Sequence, residues 1–305
     1  MTISYKKRNL QFAFCFFITL FLSNLILDSI FSRPNEKSEA AKALGDETKI
    51  IFFGSSRIEN GIDPRYMKPT SVNIATPLAN YDLLDRFAKH LLDKAPNLKL
   101  GVIEFDPLMF TDPREPYSVM EFMDYSIPFG RGLEFYLHQP LEFVRDQLYR
   151  LYQYRLTPEF MISYSHLTQR EIIPGFVSRT NRINIPRMLE AQNYRKKAQH
   201  KDQDKINLEK NLPHLKNLIE MLRKKNAKYV FLKMPQFHLH HIYIPQILQE
   251  TEKYILSQPE IGEHLIDLTR WNDHNADIFA DIGHLNRDGA KLLSEHLSIL
   301  LKDYL

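Results

Sequence analysis

The sequence predicts an α/β fold: three layers, α/β/α, around a mostly parallel sheet, with a helical insertion and one N-terminal transmembrane helix. Three observations predict it. Apolar runs of strand length recur at residues 49–53, 98–105 and 228–234 and stop at Gly54, Asp106-Pro107 and Pro235. Such runs mark strands buried on both faces, as in parallel sheets. Segments with apolar residues at helical spacing lie between and after them, which is the alternation of an α/β domain. Ahead of all this, Leu10 to Phe31 is overwhelmingly apolar and follows Lys6, Lys7 and Arg8.

Residues 1–32 are read as a basic cytoplasmic stub and a membrane anchor. About 20 apolar residues suffice to cross the hydrocarbon core. The positive-inside rule keeps the basic stub cytoplasmic, so the rest of the chain faces outward, to a periplasm or cell surface. Asp28-Ser29-Ile30-Phe31-Ser32-Arg33 offers no small-x-small cleavage site, which favours an uncleaved anchor over a signal peptide. Residues 33–48 are polar and read as a partly helical tether. Residues 49–305 form the α/β domain.

Within that domain the first strand ends at Phe53. A short β-type run, Ser71 to Ala75, meets Thr76-Pro77. Leu83, Leu84, Phe87, Leu91 and Leu92 define a helix over 81–94. After the strand at 98–105 the alternation stalls. From about 107 to 207 no core strand is evident, and so long a stretch exceeds any structureless loop. It reads as a helical insertion rich in aromatics, with a basic run over 179–210 forming a solvated face. Leu208, Leu212, Leu215, Leu218, Ile219 and Leu222 then mark an amphipathic helix. A strand at 228–234, a helix at 244–256 and a short strand at 264–268 follow. Asn286, a good N-cap, opens the final helix.

Composition excludes several classes. A net charge of +3 and the lack of any nucleic-acid motif argue against a nucleic-acid partner. With 10 glycines in 305 residues there is no multi-glycine phosphate loop, and no cofactor motif is present. The single cysteine, Cys15, rules out an intramolecular disulfide.

Two short stretches carry chemistry. Phe53-Gly54-Ser55-Ser56-Arg57 puts a serine where a strand gives way to a helix, at the carboxyl edge where open α/β sheets hold ligands. Asp281-Ile282-Gly283-His284 lies after the last strand, on the same edge. An Asp three residues before a His reaches the imidazole Nδ1 and turns Nε2 toward a nucleophile, which a serine hydroxyl requires at neutral pH. Ser56, His284 and Asp281 are thus the candidate nucleophile, base and orienting acid.

These blocks resemble the SGNH (GDSL-type) hydrolase superfamily, with a flavodoxin-like sheet. The serine of its first block falls on Ser56, and its last block, Asp-x-x-His, falls on Asp281 and His284, followed by Leu285-Asn286-Arg287-Asp288-Gly289-Ala290. The layout is similar to membrane-anchored envelope proteins that act on teichoic acids or alginate. The resemblance implies a serine esterase or O-acyltransferase acting on acyl esters of glycans or lipids, with a membrane-bound acyltransferase as a conceivable partner. The alternative is a catalytically inactive envelope binding or assembly protein. Two blocks depart from the pattern: Asn73-Ile74-Ala75-Thr76 lacks the oxyanion glycine, and Ile103-Glu104-Phe105-Asp106 has carboxylates where an asparagine is usual. The oxyanion donors are therefore expected among the N–H groups of Ser56, Ala75 and Thr76 and the amide of Asn73. Arg57, unless paired with Glu59 or Glu104, is expected to bind substrate, as is His238. His238-Leu239-His240-His241 supplies no closed ligand set, and no metal is expected.

Overall fold

The apolar runs pair as parallel strands in the computed structural model, which describes residues 36–77, 79–110, 173–185, 206–243 and 246–305, together with the isolated positions 16 and 19. β1 (Ile50–Phe53), β2 (Ser71–Asn73), β3 (Leu100–Glu104), β4 (Lys228–Lys233) and β5 (Leu265–Asp267) form one sheet in the order β2-β1-β3-β4-β5. Every neighbouring pair is parallel. β1, β2 and β3 are buried along their whole length; β1 accordingly reads as a continuous apolar run, while β2 and β3 bury the polar side chains of Ser71, Asn73 and Glu104.

Strand periodicity sends alternate side chains to opposite faces. Ile50, Phe52, Leu100, Val102, Val230 and Leu232 share one core with Ile58 of α2 (Ser56–Gly61) and with Leu293 and Leu297 of α6 (Arg287–Leu300). On the opposite face lie α3 (Tyr81–Leu91) and α4 (Leu208–Lys224), packed on each other. Leu222 of α4 sits so close to Gly101 of β3 that a Cβ there would collide with it. The result is the expected three-layer arrangement. The boundaries of the predicted strands and helices hold to within a few residues.

The described residues other than 16 and 19 belong to one unit, formed by Glu36–Ser118 and Ile172–Leu305. α1 (Glu36–Ala43) is its first element, and Ala40, Ala41 and Leu44 are buried. The described part of the expected tether is thus packed into the fold. The helix at 246–256, α5 (Gln246–Leu256), precedes β5.

Both ends of the expected insertion pack into this unit, while residues 111–172 and 186–205 lie outside the described residues. Met109 and Phe110 are buried at one end, and Ile173 and Phe176 at the other. Residues 173–185 form a strap. Gly175 enters it at φ 72°, pressed so closely on the Asn73 carbonyl that no side chain fits.

A two-stranded antiparallel ribbon, β6 (Phe279–Asp281) with β7 (His284–Leu285), lies where the sequence predicts no strand. Among the described residues no helix is long and apolar enough to cross a membrane; residues 10–31, where a spanning helix is expected, lie outside them except for positions 16 and 19.

Candidate active site

The chain reverses its direction of travel across the sheet between β1 and β3, since β2 lies on one side of β1 and β3 on the other. Ligands of open α/β sheets bind at that switch point, beyond the carboxyl ends of the strands. The turn after β1 is Gly54-Ser55-Ser56. Ser55 is the N-cap of α2, with extended backbone and its hydroxyl accepting from Arg57 N–H. Ser56 is the first helical residue, so its N–H has no intrahelical acceptor. Gly54 is required by space: a Cβ would come within 2.6 Å of Glu104 Oε2 and collide with Ile58.

Asp281 and His284 face each other across the two-residue turn of β6–β7. Directly opposed residues of an antiparallel pair project to the same side. That is the physical reason an Asp-x-x-His spacing brings carboxylate and imidazole together. His284 Nδ1 lies 2.9 Å from both Asp281 oxygens, and His284 Nε2 lies 2.8 Å from Ser56 Oγ. The structure therefore joins the three predicted residues in one chain of hydrogen bonds.

Their electrostatics suit a base. Burial holds His284 below its ordinary 6.5; Arg179 and Arg57 act in the same direction and Asp281 opposes them. These influences favour the neutral imidazole. Burial alone would raise Asp281, yet the hydrogen bond and charge of His284, the N–H of Gly283 and the Arg179 cation hold it well below the usual carboxylate range.

The expected oxyanion donors need correction. Ala75 N–H donates to Asn73 Oδ1 at 3.0 Å, an Asx turn. Thr76 N–H donates to the Gly54 carbonyl at 2.8 Å, and the Asn73 amide donates to the carbonyls of Ile58 and Ile62 at 3.0 Å each. All three are committed to partners within the fold: Thr76 to the turn before Ser56, Asn73 to the end of α2, and Ala75 to the Asn73 side chain. Ser56 N–H is the expected donor that stays uncommitted among the described residues.

Arg57 pairs with Asp106, rather than with Glu59 or Glu104. Both side chains of that pair are largely buried. The pair stands in the wall of a cavity of about 610 Å³, whose floor includes Phe105, Met234 and Leu248. Ser56 and His284 do not line it; Arg57, the residue after Ser56, does. His240 lines it, whereas His238 is packed between Phe237 and His274, at ring-centroid distances of 4.3 and 4.4 Å. His238, expected to bind substrate, does not line this cavity.

Two residues with no predicted role complete the site. Glu104, fully buried, accepts from both the N–H and the hydroxyl of Ser55. Arg179 of the strap donates to Asp281 Oδ2 at 2.9 Å and to Asn60 Oδ1 of α2 at 2.8 Å. Arg179 was expected on a solvated face; the strap carries it inward to these partners. Among the described residues no cluster of three His, Cys, Asp or Glu side chains is arranged to hold a metal. No protein-family model matches the chain, and no curated protein matches it.

Proposed function

We propose that the chain is a membrane-anchored, extracytoplasmic serine hydrolase or O-acyltransferase of the SGNH type, acting on acyl esters of envelope glycans or lipids. One observation carries this reading: Ser56 Oγ lies 2.8 Å from His284 Nε2, while Asp281 holds Nδ1 of the same ring. The location of Ser56 at the switch point of a parallel sheet supports it. The apolar segment from Leu10 to Phe31 and its basic flank support an anchor with the domain outside. A membrane-bound acyltransferase partner belongs to the transferase form of the proposal.

In this mechanism Ser56 Oγ attacks the acyl carbonyl carbon as its proton passes to Nε2 of His284. Asp281 fixes the tautomer and offsets the imidazolium charge. The carbonyl electron pair moves onto oxygen, where the uncommitted N–H of Ser56 donates to it. Collapse expels the alcohol, which takes the proton from Nε2 and leaves the acyl group on Ser56. Water then releases the acid, or a second alcohol accepts the acyl group, with His284 again serving as base.

A second reading, an inactive binding or assembly protein of the envelope, is favoured by the commitment of Ala75, Thr76 and Asn73 to the fold. A fluorophosphonate probe applied to the full-length chain separates the two. Modification at Ser56, with ester cleavage lost in Ser56→Ala, supports the enzyme. An unmodified Ser56, with cleavage unchanged by that substitution, sinks it.

A further inference from the structure

The hydrogen-bonded trio spans two elements that no short stretch of chain connects. Ser56 opens α2, while His284 sits 228 positions away on β7. A 2.8 Å contact between them needs α2 and the β6–β7 ribbon held in fixed register, since a misplacement near 1 Å costs about a hundredfold in rate. The strap at 173–185 bridges them. Val177 N–H donates to the Glu59 carbonyl, and the Asn60 amide donates to the Val177 carbonyl at 2.8 Å. On the ribbon side, Ile183 N–H donates to the Phe279 carbonyl and the Asn181 amide to the Ala280 carbonyl. Arg287 N–H, at the start of α6, donates to the Arg179 carbonyl.

We propose that Arg179 is a positioning residue, fixing the Asp281 carboxylate to the nucleophile helix through Asn60; this rests on the Ser56–His284–Asp281 reading above. A carboxylate has a broad, two-fold torsional preference and does not set its own plane. Here Gly283 N–H holds Oδ1 at 2.9 Å and Arg179 Nη1 holds Oδ2 at 2.9 Å, which leaves both oxygens facing His284 Nδ1. The other arm of the guanidinium, Nε, reaches Asn60 on the helix that carries Ser56. A planar fork is suited to such a bridge, and a single-headed ammonium is not.

The role is geometric rather than stabilising. The Arg179 and Asp281 side chains are 33% and 30% exposed, and pairs this open contribute little net stability. The other hydrogen bonds of the strap, through Val177, Asn181, Ile183 and the Arg179 carbonyl, do not involve the guanidinium. The groups facing His284 from its surroundings are Asp281 on β6, Arg57 on α2 and Arg179 on the strap. Removing Arg179 therefore removes one of two cations that disfavour protonation of His284.

The test uses the full-length chain with Arg179→Met and Arg179→Lys. Ser56 labelling by a fluorophosphonate is followed against pH, and His284 is titrated by NMR. In Arg179→Met the plateau labelling rate is expected to fall about tenfold to a hundredfold, the range for outer-shell partners, and the His284 midpoint to rise. Arg179→Lys returns the midpoint to its original value and only part of the rate. A wild-type rate and an unmoved midpoint in Arg179→Met overturn the proposal. If Arg179→Met does not fold, a wild-type rate in Arg179→Lys overturns it. A native chain that never labels at Ser56 defeats the hydrolase reading instead, and the His284 midpoint in Arg179→Met then decides the role of Arg179 by itself.

Discussion

Glu104 accepts hydrogen bonds from both the backbone N–H and the hydroxyl of Ser55, the residue that caps the helix beginning at Ser56. The Tyr81 hydroxyl braces the same residue by donating to the Glu104 carbonyl at 3.0 Å. A buried carboxyl group at the end of β3 thus secures the turn that presents Ser56, at the position where the family resemblance implies an asparagine.

Burial pushes Glu104 up to about 7 from an ordinary 4.5; Asp106 adds to the rise, while Arg57 and the two Ser55 hydrogen bonds oppose it. Between those values the unfolded chain has released this proton and the native protein has kept it. Stability from this group is therefore full below pH 4.5 and is lost as pH rises through 7. The gap is worth about 3 kcal/mol at roughly 1.4 kcal/mol per pH unit. Denaturant unfolding at pH 5 and pH 8, a window that spans most of this loss, should show the native chain losing roughly 2–3 kcal/mol more stability than Glu104→Gln. Equal losses in the two proteins would contradict the role given to burial.

His284 must be neutral to accept a proton, and its environment holds it below 6.5. Ester cleavage should rise with pH along an acid limb whose midpoint is below 6.5, then stay level through neutrality. Asp281→Asn should lower the plateau by about four orders of magnitude, the size of the matching change in a serine-protease triad. A midpoint above 7 in steady-state pH profiles would remove His284 from the role of base.

Gly54→Ala should destabilise the protein by about 1–3 kcal/mol, the usual cost of forcing a group into a packed core. The added methyl meets Glu104 and Ile58, so the turn carrying Ser56 must shift. Thermal unfolding and probe labelling should fall together; a variant with wild-type values in both would show that the turn has room.

Arg57 and Asp106 form a largely buried pair, with side chains 13% and 11% exposed. Arg57→Met leaves the Asp106 carboxylate buried without its partner, a loss of about 3–5 kcal/mol when burial is complete. Asp106→Asn added to it should recover part of that loss. Additive losses in the double-mutant cycle would mean the two side chains do not interact.

The fold and the trio were legible because each rests on local pattern. Gly54-Ser55-Ser56 breaks an apolar strand, and Asp281 and His284 are three residues apart. The ribbon that unites the latter pair was missed, because strands of three and two residues leave no periodicity to read. The Asx turn at Asn73 was readable from its sequence, and it explains why Ala75 N–H is committed. Arg179 could not be singled out within a basic run: its partners, Asn60 and Asp281, lie more than a hundred positions away in either direction. The pairing of Arg57 with Asp106 likewise depends on β1 and β3 lying side by side.

The most direct test is capture of the covalent intermediate. The full-length chain is exposed briefly to an activated acetyl ester, quenched in acid and mapped by mass spectrometry. One acetyl group should sit on the peptide carrying Ser56, accumulate faster than it is released, and be absent from Ser56→Ala and His284→Ala. Ester turnover with no acetyl on Ser56, or acetylation that persists at the same rate in His284→Ala, would contradict the proposed mechanism.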